Sequence, residues 1–304
     1  MFKPKKVVFI GTDWPENEKY CPHFLGVKAG LKKMDIPFRF VSCRPTLNIA
    51  EIVSYKPDLV IYGVLDMIKN PKWRHEIREK LPHAKIVNWY GDFRDTRMIQ
   101  VDADCSEMDA MFVSNNTQEE RYKWKWKMKE VHFLPLGCEP IPKPLYNPKF
   151  AFPFVFIGGQ IMDGPFHPRA SMIEDFKVKG GLTLINSYDA QLRAKVYRAM
   201  PEIYSSAKVC LDISHFTDVR GYTSIRFWEI PAYFGFALTK RWPGCEDFYQ
   251  SDSHAYFDTF EEALELKDYY LNHESERLKM VERAHKLSYN HDYKSRFERM
   301  FALL

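Results

Sequence analysis

Residues 58–91 read DLVIYGVLDMIKNPKWRHEIREKLPHAKIVNWYG. Two apolar runs, DLVIYGV (58–64) and KIVNWYG (85–91), flank WRHEIREKL (73–81), in which Trp73, Ile77 and Leu81 recur at helical spacing. The flanking runs are short, rich in β-branched and aromatic residues, and contain glycine near their ends, the pattern of buried strands. Strands that are apolar on both faces, joined through a helix, make a right-handed crossover in a parallel sheet.

The alternation continues outward. KKVVFIG (5–11), FRFVSC (38–43), AMFVSN (110–115) and VHFLPLG (131–137) read as further strands, with helix candidates at 23–34, 48–55 and 117–127. Residues 138–153, CEPIPKPLYNPKFAFP, hold five prolines and no apolar period, which describes a semi-rigid spacer. A domain boundary is expected near residue 145, giving domains 1–145 and 146–304. The alternation then resumes with FVFIGG (154–159), LTLINS (182–187), AKVCLDIS (207–214), FALTKR (236–241) and HAYFD (254–258). Helix candidates between them are RASMIEDFKV, DAQLRAKVYRAM, SIRFWEIPAYF and FEEALELKDYYL, and a long helical tail spans 276–303. The expected class is α/β, with two facing Rossmann-like domains and a cleft where the carboxyl ends of both sheets converge.

Composition narrows the function. At 304 residues the chain has room for about two domains. Its 45% hydrophobic and 28% charged content excludes a disordered tail, a collagen-like fibre and a coiled coil. An aromatic content of 15% suits clefts that hold planar ligands. With 44 basic and 40 acidic residues the net charge is +4, low for a dedicated nucleic-acid binder. The six cysteines are scattered without C-x-x-C pairs, so no structural zinc is expected. The run VVFI is too short for a signal peptide and no stretch is long enough to span a bilayer, which points to a soluble cytoplasmic protein. The loop GTDWPENEK (11–19) has one glycine, so the nicotinamide fingerprint is absent.

Residues 218–248, DVRGYTSIRFWEIPAYFGFALTKRWPGCEDF, place Arg226 and Glu229 at the opening of a helix. A helix N-terminus offers free N–H groups to phosphates, an arginine adds a bidentate contact, and a glutamate can accept from vicinal hydroxyls of a ribose. The plain alternative is a helix–turn–strand with a surface ion pair. Two acidic residues just past strand ends, Asp13 and Asp92, are candidates for orienting or deprotonating an acceptor hydroxyl, or else ordinary turn and cap residues. RYKWKWKMK (121–129) interleaves Lys123, Trp124, Lys125, Trp126 and Lys127, a pattern for stacking bases and neutralising phosphates. An amphipathic helix with snorkelling lysines fits the same stretch.

Residues 154–304 resemble the spore-maturation CgeB-like glycosyltransferases, which have the GT-B fold and are related to family 4 retaining enzymes. The resemblance rests on the R-x-x-E-x-x-A-x-x-G block from Arg226 to Gly235 and a strand ending in a basic residue. It continues through the segment EEALELKDYYLNHESERLKMVERAHKL to an H-x-Y-x-x-R box at His291, Tyr293 and Arg296. It implies a glycosyltransferase in which Glu229 holds the ribose of a nucleotide-diphosphate sugar, most naturally a UDP-sugar. Arg169 and Arg226 would neutralise the diphosphate without a metal, Gly158 and Gly159 would let backbone approach it, and Ser224 would complete the donor set. It also implies a last helix, about 290–304, that returns to the first domain. His291 is expected to serve that link, while His167, beside Arg169, is a candidate for facing the phosphates, with a purely structural place the plainer alternative. Related enzymes carry a second glutamate eight positions before Glu229; here that position is Gly221, with Asp218 the nearby substitute. Two rivals follow. One is a DNA-modifying glycosyltransferase acting on hydroxymethylated pyrimidines through the 123–127 patch; the other is a non-catalytic nucleotide-sugar-binding protein.

Overall fold

The computed structural model describes residues 2–11, 22–43, 45–63, 70–90, 104–117, 119–158, 168–185 and 190–304. The chain divides into two compact units. The first comprises Met1–Lys19, Phe24–Leu136 and Tyr293–Leu304, the second Tyr20–His23 and Gly137–Asp292.

Unit 1 carries strands β1 (Val7–Gly11), β2 (Phe38–Ser42), β3 (Leu59–Tyr62), β4 (Lys85–Tyr90), β5 (Ala110–Val113) and β6 (Val131–Phe133). They form a six-stranded sheet in the order β2-β1-β3-β4-β5-β6, with every pairing parallel. Every residue of β1, β3 and β5 is buried, because helices cover both faces of a parallel sheet; the edge strand β2 is only partly covered. The crossover helices are α1 (Pro22–Lys33), α2 (Ile49–Tyr55), α3 (Pro71–Lys80) and α4 (Glu119–Trp126). The side chain of Asn48 caps α2 by accepting from the Glu51 N–H at 3.2 Å.

Unit 2 has strands β7 (Phe154–Ile157), β8 (Thr183–Ile185), β9 (Val209–Asp212), β10 (Ala237–Lys240) and β11 (Ala255–Phe257). Their order is β11-β10-β9-β7-β8, and all pairs are parallel. The helices are α5 (Pro168–Lys179), α6 (Ala190–Ser206), α7 (Arg226–Ala232), α8 (Phe260–Asn272) and α9 (Glu274–Ser288). Thr259 caps α8, its Oγ1 accepting from the Glu262 N–H, and Glu262 accepts in turn from the N–H of Asp258 just before the cap.

Three features depart from the sequence expectation. Helix α6 runs past Met200 and through Pro201 to Ser206, because Met200, Ile203 and Tyr204 pack into the core against Val155 and Cys210. The long tail is two helices rather than one. After α9 the chain makes a 3-10 turn at Tyr289–His291, Asp292 is extended, and α10 (Tyr293–Leu303) follows. This break moves the last helix into unit 1. There Tyr293 and Phe297 meet Trp89 edge-on at 5.9 and 5.7 Å, and the Tyr293 ring occupies the space beside Gly26. The proline-rich stretch is also more firmly held than a spacer. The Cys138 N–H donates to His291 O, the Ile141 N–H to Ala232 O, and Phe150 and Phe152 pack against the unit 2 core. With few N–H groups of its own, the stretch is fixed by these contacts.

Cys43, Cys105, Cys138, Cys210 and Cys245 are buried and form no disulfide, as suits small hydrophobes. Among the described residues, no helix is long and apolar enough to cross a membrane.

Candidate active site

In unit 2 the chain steps from β7 outward to β8, then returns past β7 to β9. The β7/β9 boundary is therefore the topological switch point, and parallel sheets bind ligands at the carboxyl ends of the strands there. Ile157 and Gly158 end β7; Asp212, Ile213 and Ser214 end β9.

Arg226, the first residue of α7, fills this boundary. Its Nη1 donates to Ile157 O at 3.3 Å and its Nη2 to Ile213 O at 2.8 Å. Nε lies 3.4 Å from Oδ1 of Asp212. The guanidinium rests on the Phe156 ring, 4.6 Å from its centroid, and Arg169 approaches the same ring at 5.7 Å. Both arginines are buried, so their positive charges lie close to one low-dielectric spot. Gly158 is required here: a Cβ would stand 2.7 Å from the Phe156 ring and 3.1 Å from Arg226 Nη1.

The segment before α7 is stapled to the end of β9. Ser224 Oγ donates to Asp212 Oδ1 at 2.9 Å, the Ser224 N–H donates to Ser214 Oγ at 2.9 Å, and the Ser214 and Thr223 hydroxyls are 3.3 Å apart. Gly221 sits in the left-handed region at φ +77. A glutamate at this position would be strained, so the local backbone is built for glycine.

Glu229 lies one helical turn after Arg226 and is 1% exposed. Its Oε2 is buried with no hydrogen-bond partner, and so is the Tyr204 hydroxyl. Burial pushes the Glu229 carboxyl up to about 8, against the opposing pull of Arg226. Burial, then the charge of Glu229, raises the Tyr204 phenol well above its ordinary value. A buried acceptor without a partner costs stability, and a ligand hydroxyl is the kind of donor that would satisfy it.

Of the residues singled out from sequence, Gly158, Arg169, Ser224, Arg226 and Glu229 all belong to unit 2, and Gly158, Ser224 and Arg226 meet at the β7/β9 boundary. Asp13, Asp92, Gly159 and His167 lie outside the described residues. Asp218 is exposed. His291 joins the unit 2 aromatic cluster, 5.1 Å from Trp228 and 5.3 Å from Tyr249. Trp126 departs from the basic-aromatic groove: it is buried, stacked on Tyr122 at 4.9 Å, because both face the unit 1 core. Trp124 is 81% exposed. Lys123 pairs with Glu120 at 3.2 Å and Lys127 with Asp104 at 2.7 Å, while Lys125 lies beside them on α4. Sequence reasoning missed Asp212, Ser214 and Thr223; the signal was an aspartate inside the apolar run VCLDIS.

Further along the carboxyl edge of the sheet, a cavity of about 510 Å³ is bordered by Arg220, Lys240, Arg241, Trp242 and Asp258. Its charges are paired across it, Arg220 with Asp247 and Arg241 with Asp258. Among the described residues no group of three His, Cys, Asp or Glu is placed to hold a metal ion.

The model of the glycosyl transferase-like family matches residues 169–302. That span contains nearly all of α5, α6 to α9, the Arg226–Glu229 turn and most of α10. Among solved structures the chain is similar to an alpha-glucosyltransferase in complex with UDP and a 13-mer DNA containing an HMU base. The TM-score is 0.69 and the identity 11%, over 98% of each chain. It is also similar to Anabaena HepE in complex with UDP and glucose, at TM-score 0.63 and 8% identity over 99% of this chain and 100% of that one. A third is sucrose-phosphate synthase from Thermosynechococcus elongatus, at TM-score 0.57 and 11% identity over 98% of each. The chain has the GT-B fold. The family-model match falls mostly in the second unit, with its last residues in the first. No curated protein matches the chain.

Proposed function

We propose that the chain is a glycosyltransferase that moves a sugar from a UDP-sugar to an acceptor hydroxyl, with retention and without a metal. The observation that carries this reading is the pairing of two buried arginines over one ring with a buried Glu229 whose Oε2 has no hydrogen-bond partner, at the switch point of the span that matches the glycosyl transferase-like family. In the reaction, the bond between the sugar's anomeric carbon and the diphosphate oxygen breaks through an oxocarbenium-like state, and its electron pair stays on the diphosphate. Fixed positive charge aimed at that developing negative charge is the main catalytic contribution.

Arg169 is assigned to the leaving diphosphate. Arg226 donates one N–H each to Ile157 O and Ile213 O, while its Nε faces Asp212 as an ion pair at 3.4 Å without a hydrogen bond. It therefore acts by its charge and by fixing the strand ends, with Gly158 and Gly159 giving the diphosphate close backbone access. Glu229 accepts from the ribose hydroxyls, and Ser224 holds the entry to α7. Asp13 and Asp92 are the proposed groups that take the acceptor proton as the new glycosidic bond forms.

A specific observation favours a second reading, in which the acceptor is DNA. The similar alpha-glucosyltransferase was solved with a DNA 13-mer, and Trp124 stands exposed among Lys123, Lys125 and Lys127. A salt-sensitive shift of hydroxymethylated DNA in a gel would support it.

The test of the main reading is a thermal-shift screen of nucleoside diphosphates and their sugars. A specific donor raises the melting temperature by mass action. If none of them raises it, the reading is overturned. UDP release from the stabilising sugar then separates an enzyme from a protein that only binds.

A further inference from the structure

Asp212 ends β9 inside the arginine-rich boundary and is 1% exposed. A carboxylate is an unexpected neighbour for a diphosphate, since it repels the charge the arginines attract. Its contacts show what it does in the empty protein. Oδ1 accepts from Ser224 Oγ at 2.9 Å and faces Arg226 Nε at 3.4 Å, while Oδ2 is buried without a partner. Burial raises its carboxyl, and the charge of Arg226 leads the opposing pull, joined by Ser224 and Arg169. Asp212 thus lies in the field of both arginines and forms an ion pair with Arg226.

Two buried cations without a counter-ion would repel each other and pay a desolvation cost. Asp212 offsets one of them. In the same stroke it anchors Ser224 and Arg226, while Ser214 fixes the Ser224 backbone. On the UDP-sugar reading of this site, we propose that Asp212 is a positioning residue that fixes Arg226 and Ser224 at the start of α7 and holds the affinity for the diphosphate below what the two arginines alone would give, so that UDP can leave.

The test is Asp212→Asn, which keeps the shape and an acceptor oxygen for Ser224 but removes the charge. UDP binding, measured by calorimetry on the full chain, is expected to tighten about fivefold or more, because one repelling charge is lost from a buried site. For UDP-glucose hydrolysis, KM and kcat should fall together, leaving kcat/KM within about threefold of the wild type. A purely structural role would instead weaken UDP binding.

Should Asp212→Asn fail to fold, the charge-balanced Arg226→Met/Asp212→Asn double variant answers the question. It should bind UDP about tenfold more tightly than Arg226→Met alone, which leaves the carboxylate unpaired. Unchanged or weaker UDP binding in folded Asp212→Asn overturns the inference, as does a double variant no tighter than Arg226→Met. A wild-type chain that binds no UDP overturns the donor reading, and this inference falls with it. UDP binding by the wild type without the expected tightening overturns the inference alone.

Discussion

Replacing Glu229 by glutamine removes a buried titrating group while preserving its shape. Burial lifts this carboxyl from 4.5 to about 8, so the folded state prefers its neutral form. A folded-state value raised above the unfolded one contributes stability that is fully present below pH 4.5. That stability is lost as the pH rises toward 8. Each pH unit in this window is worth about 1.4 kcal/mol, so the group takes away about 3 kcal/mol between pH 4.5 and 7. The loss levels off above pH 8. Arg226 opposes the shift, while Tyr204 and Tyr233, whose phenols feel the Glu229 charge, complete the surroundings.

The assay is urea denaturation of wild type and Glu229→Gln at pH 5, 6, 7 and 8. Glutamine brings its own buried amide, which costs about 1–3 kcal/mol at every pH if unbonded, so the informative quantity is the slope. Subtracting the two curves removes every other titrating group. The difference should favour the variant by about 1 kcal/mol or more for each unit between pH 5 and 7. At the same time the variant should bind UDP-sugar more weakly, the cost in stability being tied to function. Parallel curves for the two proteins would show that Glu229 is not a buried, proton-bearing carboxyl, and the reasoning would be refuted.

Arg226→Met strips donors from Ile157 O and Ile213 O and removes the cation that Asp212 pairs with; a loss of about 3–5 kcal/mol in urea is expected, together with loss of donor hydrolysis. His254 is fully buried, its Nε2 has no partner, and burial pulls it from 6.5 to about 3. A depressed folded value gives stability that is present above pH 6.5 and lost as the pH falls toward 3. By pH 5 the loss is about 2 kcal/mol, and His254→Phe should remove that acid slope in an acid-denaturation series. Gly26→Ala would put a Cβ 1.9 Å from the Tyr293 ring, so the variant should lose about 1–3 kcal/mol. Faster cleavage near residues 289–292 by a dilute protease would report release of α10.

Much of the fold was legible because its strands are buried on both faces. Runs such as VVFI, LVIY and FVFI carry that burial as unbroken apolar residues, and each falls in a parallel strand. The break at residues 289–292 was not legible, since YNH carries no glycine or proline there. What interrupts the helix is tertiary: the Cys138 N–H bonds to His291 O, and Cys138 pairs with Asp292 as a lone bridge. Pro201 misled in the other direction, because burial of Ile203 and Tyr204 carries α6 past it.

The site shows the same split. Arg226 and Glu229 were visible through spacing, one helical turn apart. Asp212 was hidden inside an apolar run, and only the strand register places it beside Ser224 and Arg226. The basic-aromatic stretch divided by helical periodicity, with Tyr122 and Trp126 turned into the core and Trp124 turned out. At Gly221 the sequence read as a missing glutamate, whereas the backbone there adopts a conformation suited to glycine.

The most direct measurement of the central claim is UDP release from UDP-glucose by the purified wild-type chain, run beside Arg169→Met and Glu229→Leu. The account predicts slow release of UDP without any added acceptor, and a reduction of about tenfold or more in each variant. A folded wild-type chain that neither binds nor consumes any UDP-sugar, or variants as active as the wild type, would contradict it.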